Sequence, residues 1–162
     1  MMDQHISTFG TIVLRPSGIQ WVIEKAPWII INITGYCLYD RTPLPSLILM
    51  LMIAMTLHLV YMLLYLKLMR FTVTDEILVY EHGVLWRQRE YIELYRVVDF
   101  KEHISFLQNL FGLKTVTIYS GDRSTPILPI PGISLDYPLV TTIRQRVEYN
   151  KRRKGIYEIT NR

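Results

Sequence analysis

The stretch Leu47 to Leu66, LILMLMIAMTLHLVYMLLYL, decides how this chain is built. Its roughly twenty residues carry no formal charge, and at about 1.5 Å of rise per residue a helix of that length crosses the roughly 30 Å hydrocarbon core of a bilayer. Pro43 and Pro45 stand at its start, where a missing backbone donor does little harm, and Lys67 and Arg70 follow its end. The pattern predicts a transmembrane helix over about 47–66 that leaves the membrane on the cytoplasmic side.

The apolar run before it, Pro27 to Tyr39, gives only about 20 Å of helix and cannot cross alone. Extended back to Ser17 as N-cap it reaches about 34 Å, with Trp21 near one interface and Tyr36 and Tyr39 near the other. Glu24 and Lys25 then lie within two turns of the cytoplasmic end, where long side chains snorkel to the headgroups, and Pro27 kinks the helix by removing its bond to residue 23. An interfacial segment over 16–25 followed by a short re-entrant helix is the competing arrangement. The linker 40–46 suits a tight helical hairpin, which favours a full span over about 17–39. Residues 17–69 thus form a two-helix transmembrane hairpin, with residues 1–16 a cytoplasmic N-terminal segment.

Half of the residues are apolar and the net charge is +4. From Lys67 onward fifteen Lys and Arg face eleven Asp and Glu, so the C-terminal part supplies the whole surplus. A basic domain beside a bilayer suits anionic headgroups. Nucleic acid is the usual rival, but no helix-turn-helix, zinc-finger or stacked-aromatic signature accompanies the charge. Cys37 is the single cysteine, which excludes an intramolecular disulfide and a cysteine-based metal cluster. The first residues carry no basic n-region, so the hydrophobic segments are expected to remain in the mature protein.

Beyond Arg70 the long apolar runs give way to short alternating ones broken by turn signals, the mark of strands. Phe71–Val73 reads as a strand, and Ile77–Tyr80 and Val84–Trp86 flank the turn Glu81-His82-Gly83 as a hairpin, with glycine where φ must be positive. Tyr91–Leu94 and Val97–Phe100 continue the series. Leu113–Tyr119 turns through Ser120-Gly121-Asp122-Arg123 into Thr125–Ile130, where Pro126 and Pro129 predict an edge or irregular strand. Ile104–Phe111 has helical spacing and ends at Gly112. A final amphipathic helix runs over about 136–152, with Leu139, Val140, Ile143 and Val147 on one face and Arg144, Gln145, Arg146 and Glu148 elsewhere.

The order and spacing of four stretches resemble the bacterial pleckstrin-homology-like (PH-like) family of membrane-associated proteins. They are Thr74-Asp75-Glu76 entering the first hairpin, Gly83-Val84-Leu85 leaving it, Ile92-x-Leu94-x-Arg96-Val97, and Phe106-Leu107-x-x-Leu110-Phe111-Gly112-Leu113-x-Thr115-Val116. The resemblance covers about 71–150, and the paired spans before it fit the same family. It implies a membrane α + β chain: a transmembrane helical hairpin, then a PH-like β-barrel or sandwich over 70–150 capped by a C-terminal helix, then a basic tail over 151–162. Pro126, Pro129 and Pro131 depart from the family by interrupting a region that more typical members fill with a regular strand.

A fold of this kind implies binding or assembly, so function rests on sites. Lys151, Arg152, Arg153 and Lys154, with Lys67 and Arg70, are candidate contacts to anionic lipid, since each such cation near the surface contributes about 1 kcal/mol. Asn32, Thr34, Thr56 and His58 lie at depths where they can hydrogen-bond between the two spans, a reading favoured over proton relay because no central carboxylate accompanies His58. His5, His82 and His103 have no metal-ligand spacing and read as turn and surface residues. The carboxylates Asp75, Glu76, Glu90, Glu93, Asp99 and Glu102 alternate with cations as solvated strand faces do, with no nucleophile or phosphate-binding loop beside them.

The expectation is a non-enzymatic module, without cofactor, metal or small-molecule substrate, anchored in the bacterial cytoplasmic (inner) membrane as a multi-pass protein with both termini cytoplasmic. It would scaffold or dock a protein assembly, with a protein partner or a homo-oligomer beside the phospholipid. The alternatives are an anionic-lipid headgroup sensor and, weaker, a subunit of a transporter or proton-conducting complex.

Overall fold

The computed structural model describes residues 9–156; His5 and the end of the basic tail lie outside the described residues. A strand β1 (Ile12–Leu14) precedes helix α1 (Gly18–Leu38), a single 3-10 turn (Tyr39–Arg41) and helix α2 (Pro45–Leu68). Strands β2 (Arg70–Val73), β3 (Ile77–His82) and β4 (Gln88–Glu93) follow, then β5 (Val97–His103), the short helix α3 (Phe106–Leu110), β6 (Leu113–Ser120), β7 (Ile127–Ser134) and helix α4 (Leu139–Arg153). Two antiparallel sheets result, in the orders β1-β2-β3-β4 and β5-β6-β7. Together with the C-terminal helix they are consistent with a PH-like sandwich.

Ser17 caps α1 as its sequence suggests, its hydroxyl accepting from the Ile19 amide at 3.3 Å. The helix continues through Pro27. Among the described residues one helix, α2, is long and apolar enough to cross a membrane; α1, expected as a second span, is not. Gln20, Glu24 and Lys25 interrupt the apolar residues of its first two turns.

The strand β1 lies within the segment read as an N-terminal extension. It pairs with β2 in the register Ile12↔Val73 and Leu14↔Phe71, so the first sheet opens before the helical hairpin and resumes after it. The hairpin is therefore an insertion between two neighbouring strands, and its entry and exit lie side by side.

Alternation builds the core. In β2, Phe71 and Val73 point inward between the half-exposed Arg70 and Thr72, and in β6 Val116 and Ile118 do the same. Leu78, Ile92, Leu94, Val97, Leu128 and Ile130 join them, and Leu139, Ile143 and Val147 of α4 close the core. Burying each such side chain contributes about 1.5–3 kcal/mol. The prolines of β7 are accommodated as expected, because β7 is the edge of its sheet and its pairing with β6 shifts between Lys114 and Val116.

Two local readings change. Val84–Trp86 is not a strand: β3 and β4 pair from Ile77↔Glu93 to His82↔Gln88, and the residues between form the turn, entered by Gly83 at φ 105°. On α4, Arg146 does not face solvent. It is 3% exposed, and its guanidinium donates to the carbonyls of Val73 and Thr74 at 3.0 Å each and of Gly10 at 2.6 Å. One turn on, Asn150 Nδ2 donates to the Asp75 carbonyl at 2.6 Å, so α4 is stitched to the β2–β3 turn by side-chain donors.

Candidate functional site

The end of the domain from which the helical hairpin leaves is unlike the rest of its surface. Strand register defines it: Leu14 runs into Ser17, Arg70 follows α2, and Glu81 pairs with Arg70, so the β3–β4 turn projects at the same end. That turn presents Leu85 and Trp86 at 75% and 80% exposure. Beside the first turn of α1 lies α3, whose Phe106 and Leu110 are 84% and 68% exposed, with Ile104 and Phe111 also exposed. Folded domains seldom leave such large apolar side chains together in water.

The seating of α3 explains this placement. Ser105 caps it, accepting from the Gln108 amide while the Gln108 carboxamide accepts from the Ser105 amide, a capping box in five residues. The same Gln108 side chain, 3% exposed, donates to Gln20 of α1 at 3.0 Å and to Thr115 of β6 at 2.7 Å. The buried polar joint fixes α3 at the level where α1 begins, with Phe106 and Leu110 turned outward.

Between the two apolar groups lie cations. Arg15, Lys67, Arg70 and Arg87 line one pocket of about 140 Å³ with Glu81, His82 and Gly83. Lys67 and Arg70, singled out from the sequence, are thus brought together; Arg15 and Arg87 join them only through the fold. Behind the pocket a polar chain ties α2 to the first sheet. The Tyr65 hydroxyl bonds His82 Nδ1 at 3.0 Å, His82 Nε2 bonds Glu90 at 3.2 Å, and Thr125 donates to the other Glu90 oxygen at 2.5 Å. Tyr80 stacks between Phe71 and His82, with centroids 4.8 and 4.5 Å away. Burial, and after it the neighbouring Tyr65 hydroxyl, push the Tyr80 phenol well above its ordinary range, so it stays neutral. His82 is therefore no surface turn residue: its side chain is 13% exposed and sets the rotation of α2 against the sheet.

The basic run lies elsewhere. Arg153 pairs with Glu76 at 2.6 Å, and Lys154 Nζ sits 3.7 Å from the centre of the Tyr95 ring. Glu76 lies in the β2–β3 turn, about 17 Å along β3 from the end where the hairpin leaves. The pairing of α4 with the β2–β3 turn carries Lys151–Lys154, read from the sequence as lipid contacts, to the end away from the helices. Lys151 and Arg152 line a groove of about 440 Å³ between α4 and the edge of β5 that is unpaired among the described residues, with Val97, Val98, Asp99 and Phe100 opposite.

Of the four polar residues assigned to the contact between α1 and α2, two meet there. Asn32, 7% exposed, donates to the Met52 carbonyl at 3.0 Å and accepts from Thr56 at 3.1 Å; Tyr36, one turn along, bonds the same hydroxyl at 3.1 Å. Thr34 instead donates to Ile30 of its own helix, and His58 is exposed. The reason is helical phase: two residues along a helix turn the side chain by about 200° to the far face. Among the described residues no group of His, Cys, Asp or Glu has the arrangement to hold a metal ion.

A family model described as Bacterial PH domain matches residues 26–151, from within α1 to the last turn of α4. No curated protein and no solved structure matches the chain.

Proposed function

The chain belongs to the bacterial PH domain family, and on that premise we propose that it is a non-enzymatic, membrane-anchored module that presents a protein-docking surface at the cytoplasmic face of a bacterial inner membrane. The observation that carries this reading is the pairing of β1 with β2 across the base of the helical hairpin. Because those strands are neighbours, the chain between Leu14 and Phe71 begins and ends on one side of any membrane. If α2 crosses, the chain crosses an even number of times, and α1, whose 21 residues give about 31 Å, has the length to return it although its first two turns carry polar residues. Glu24 and Lys25 then fall near the entry, where Glu24 accepts from Gln20 at 2.8 Å and the Lys25 stem reaches the headgroups.

Orientation follows from charge. Arg15, Lys67, Arg70 and Arg87 crowd the base of the hairpin, whereas its tip carries Asp40 and Arg41, which favours a cytoplasmic base. Leu85, Trp86, Phe106 and Leu110 would then rest in the interfacial layer, which accounts for their exposure. With Cys37 replaced by serine, cysteine introduced at Ser46 is expected to react with an impermeant thiol reagent in intact cells. Labelling only after lysis would remove the hairpin.

Docking is assigned to the opposite end. Among the described residues the outer edge of β5 is unpaired, and the groove beside it offers apolar surface at Val98 and Phe100 with Arg144, Lys151 and Arg152 along α4 and Asp99 and Glu148 between them. Such an edge receives an extended peptide segment as an added strand, main-chain bonds supplying affinity and flanking side chains selectivity. A photo-crosslinker at Val98 is expected to capture a discrete protein in stoichiometric yield, and the same group at Arg89 on β4 is not. Equal capture at both positions, or none at Val98, would count against this groove. Recognition of anionic lipid is the second reading, favoured by the cationic pocket at the hairpin base.

A further inference from the structure

A strand edge left unpaired is a template for any other chain, and folded proteins guard such edges with bulges and charged side chains. Both devices stand in β5 where it borders the groove with α4. Its pairing with β6 passes from Val97↔Ser120 to Asp99↔Tyr119, so Val98 is an extra residue bulged out of the ladder, and it is 70% exposed. At the next position the Asp99 carboxylate accepts from the Phe100 amide at 2.7 Å. Asp99 and Phe100 both line the groove. A main-chain donor beside it is therefore already held by the strand's own side chain.

We propose that Asp99 gates strand addition at this groove: its carboxylate occupies the Phe100 amide until the carbonyl of an incoming extended segment displaces it. The purpose of the gate rests on the docking reading of the groove; its geometry does not. Displacement needs a second place for the carboxylate, and Arg144 supplies one. Its guanidinium lies 5.8 Å from the centre of the Phe100 ring, lines the same groove and has no ion pair among the described residues. Opening thus exchanges one charge-assisted bond for another, so it costs little once a carbonyl arrives. A partner that offers side chains alone leaves the gate shut, which restricts the groove to partners that bring extended main chain. A second copy of this chain brings its own bulge and its own Asp99 to the same edge, so pairing between copies has to open two gates.

The test compares the full-length protein in detergent with its Asp99→Ala and Asp99→Glu variants by two measurements. In dilute protein, amide exchange at Phe100 is expected to run roughly tenfold faster in Asp99→Ala, while Val116 and Ile118 in β6 keep their rates because Asp99 is exposed and outside the core. In concentrated protein carrying a photo-crosslinker at Val98, copy-to-copy crosslinks are expected to rise roughly fivefold in the same variant, since both gates are then gone. Glutamate keeps the charge but, with one more methylene, loses the short ring that Asp99 closes onto the next amide, so Asp99→Glu is expected to follow alanine in exchange. Asp99→Glu matching the wild type in both measurements would overturn the gate, because charge alone would then guard the edge. Exchange and crosslinking unchanged in Asp99→Ala would overturn it as well. Both measurements proceed without a captured partner, so an empty Val98 crosslink in cells would count against the docking reading and not against the gate.

Discussion

Arg146→Met should destabilise the folded domain by about 3–5 kcal/mol, although the substitution roughly preserves side-chain volume and sits on a helix whose face looks polar in sequence. The guanidinium donates to three main-chain carbonyls drawn from separate places: Gly10 ahead of β1, and Val73 and Thr74 at the end of β2. It also lies 5.4 Å from the centre of the Phe9 ring. Hydrogen bonds from a charged donor are worth about 1.5–3 kcal/mol each, and their loss leaves acceptors in a region closed to water. Arg146→Lys keeps the charge but not the fork, so it should fall between wild type and methionine. Denaturant unfolding of the purified protein in detergent, followed by near-ultraviolet circular dichroism of the β domain, measures the difference. A loss below about 1 kcal/mol for methionine would mean that water reaches the abandoned carbonyls.

Gly132→Val is expected to cost about 2–4 kcal/mol and to act on the joint between domain and tether rather than on the core. Gly132 holds φ 64°, a left-handed conformation that a β-branched residue resists. A Cβ there would stand 2.8 Å from Gln20 Cβ and 3.1 Å from the Ser17 nitrogen. The Ser17 amide donates to the Gly132 carbonyl at 2.9 Å, so relief of the clash breaks the bond that starts α1 on the second sheet. Gln20 would move with it and loosen the Gln108 contact that seats α3. Amide exchange at Ser17 and Gln20 should therefore accelerate more than exchange in β6. Uniform acceleration across the domain would place the damage in the core instead.

These two residues mark where reading along the chain stops. Positive φ at the β3–β4 turn was legible because hairpin turns have a short-range code, and Gly83 obeys it. Gly132 sits in a strand next to two prolines, and its constraint comes from a helix more than a hundred residues earlier. Arg146 likewise follows no local rule: the apolar positions Leu139, Ile143 and Val147 predict the buried face, and Arg146 lies on its border because carbonyls from β2 and the N-terminal segment need a donor there. Glu90 was read as one of many solvated carboxylates, yet it receives both His82 and Thr125.

The sequence by itself determined the apolar helix α2, the change to short alternating strands after Arg70, the glycine-ended helical turn before β6, and the amphipathic helix that closes the chain. Each of these is written in a period of two or of about 3.6 residues, or in a turn preference, and so needs no partner to be read. Only the tertiary structure decided that a three-residue strand before the hairpin completes the first sheet, that Arg15 and Arg87 join Lys67 and Arg70 in one pocket, and that the basic run ends away from the helices. Those facts depend on pairings such as Leu14↔Phe71 and Arg153 with Glu76, whose partners are dozens of residues apart. Closing loops of that length costs entropy that local patterns neither offset nor record, and what offsets it is the core that forms when all of these contacts are made together.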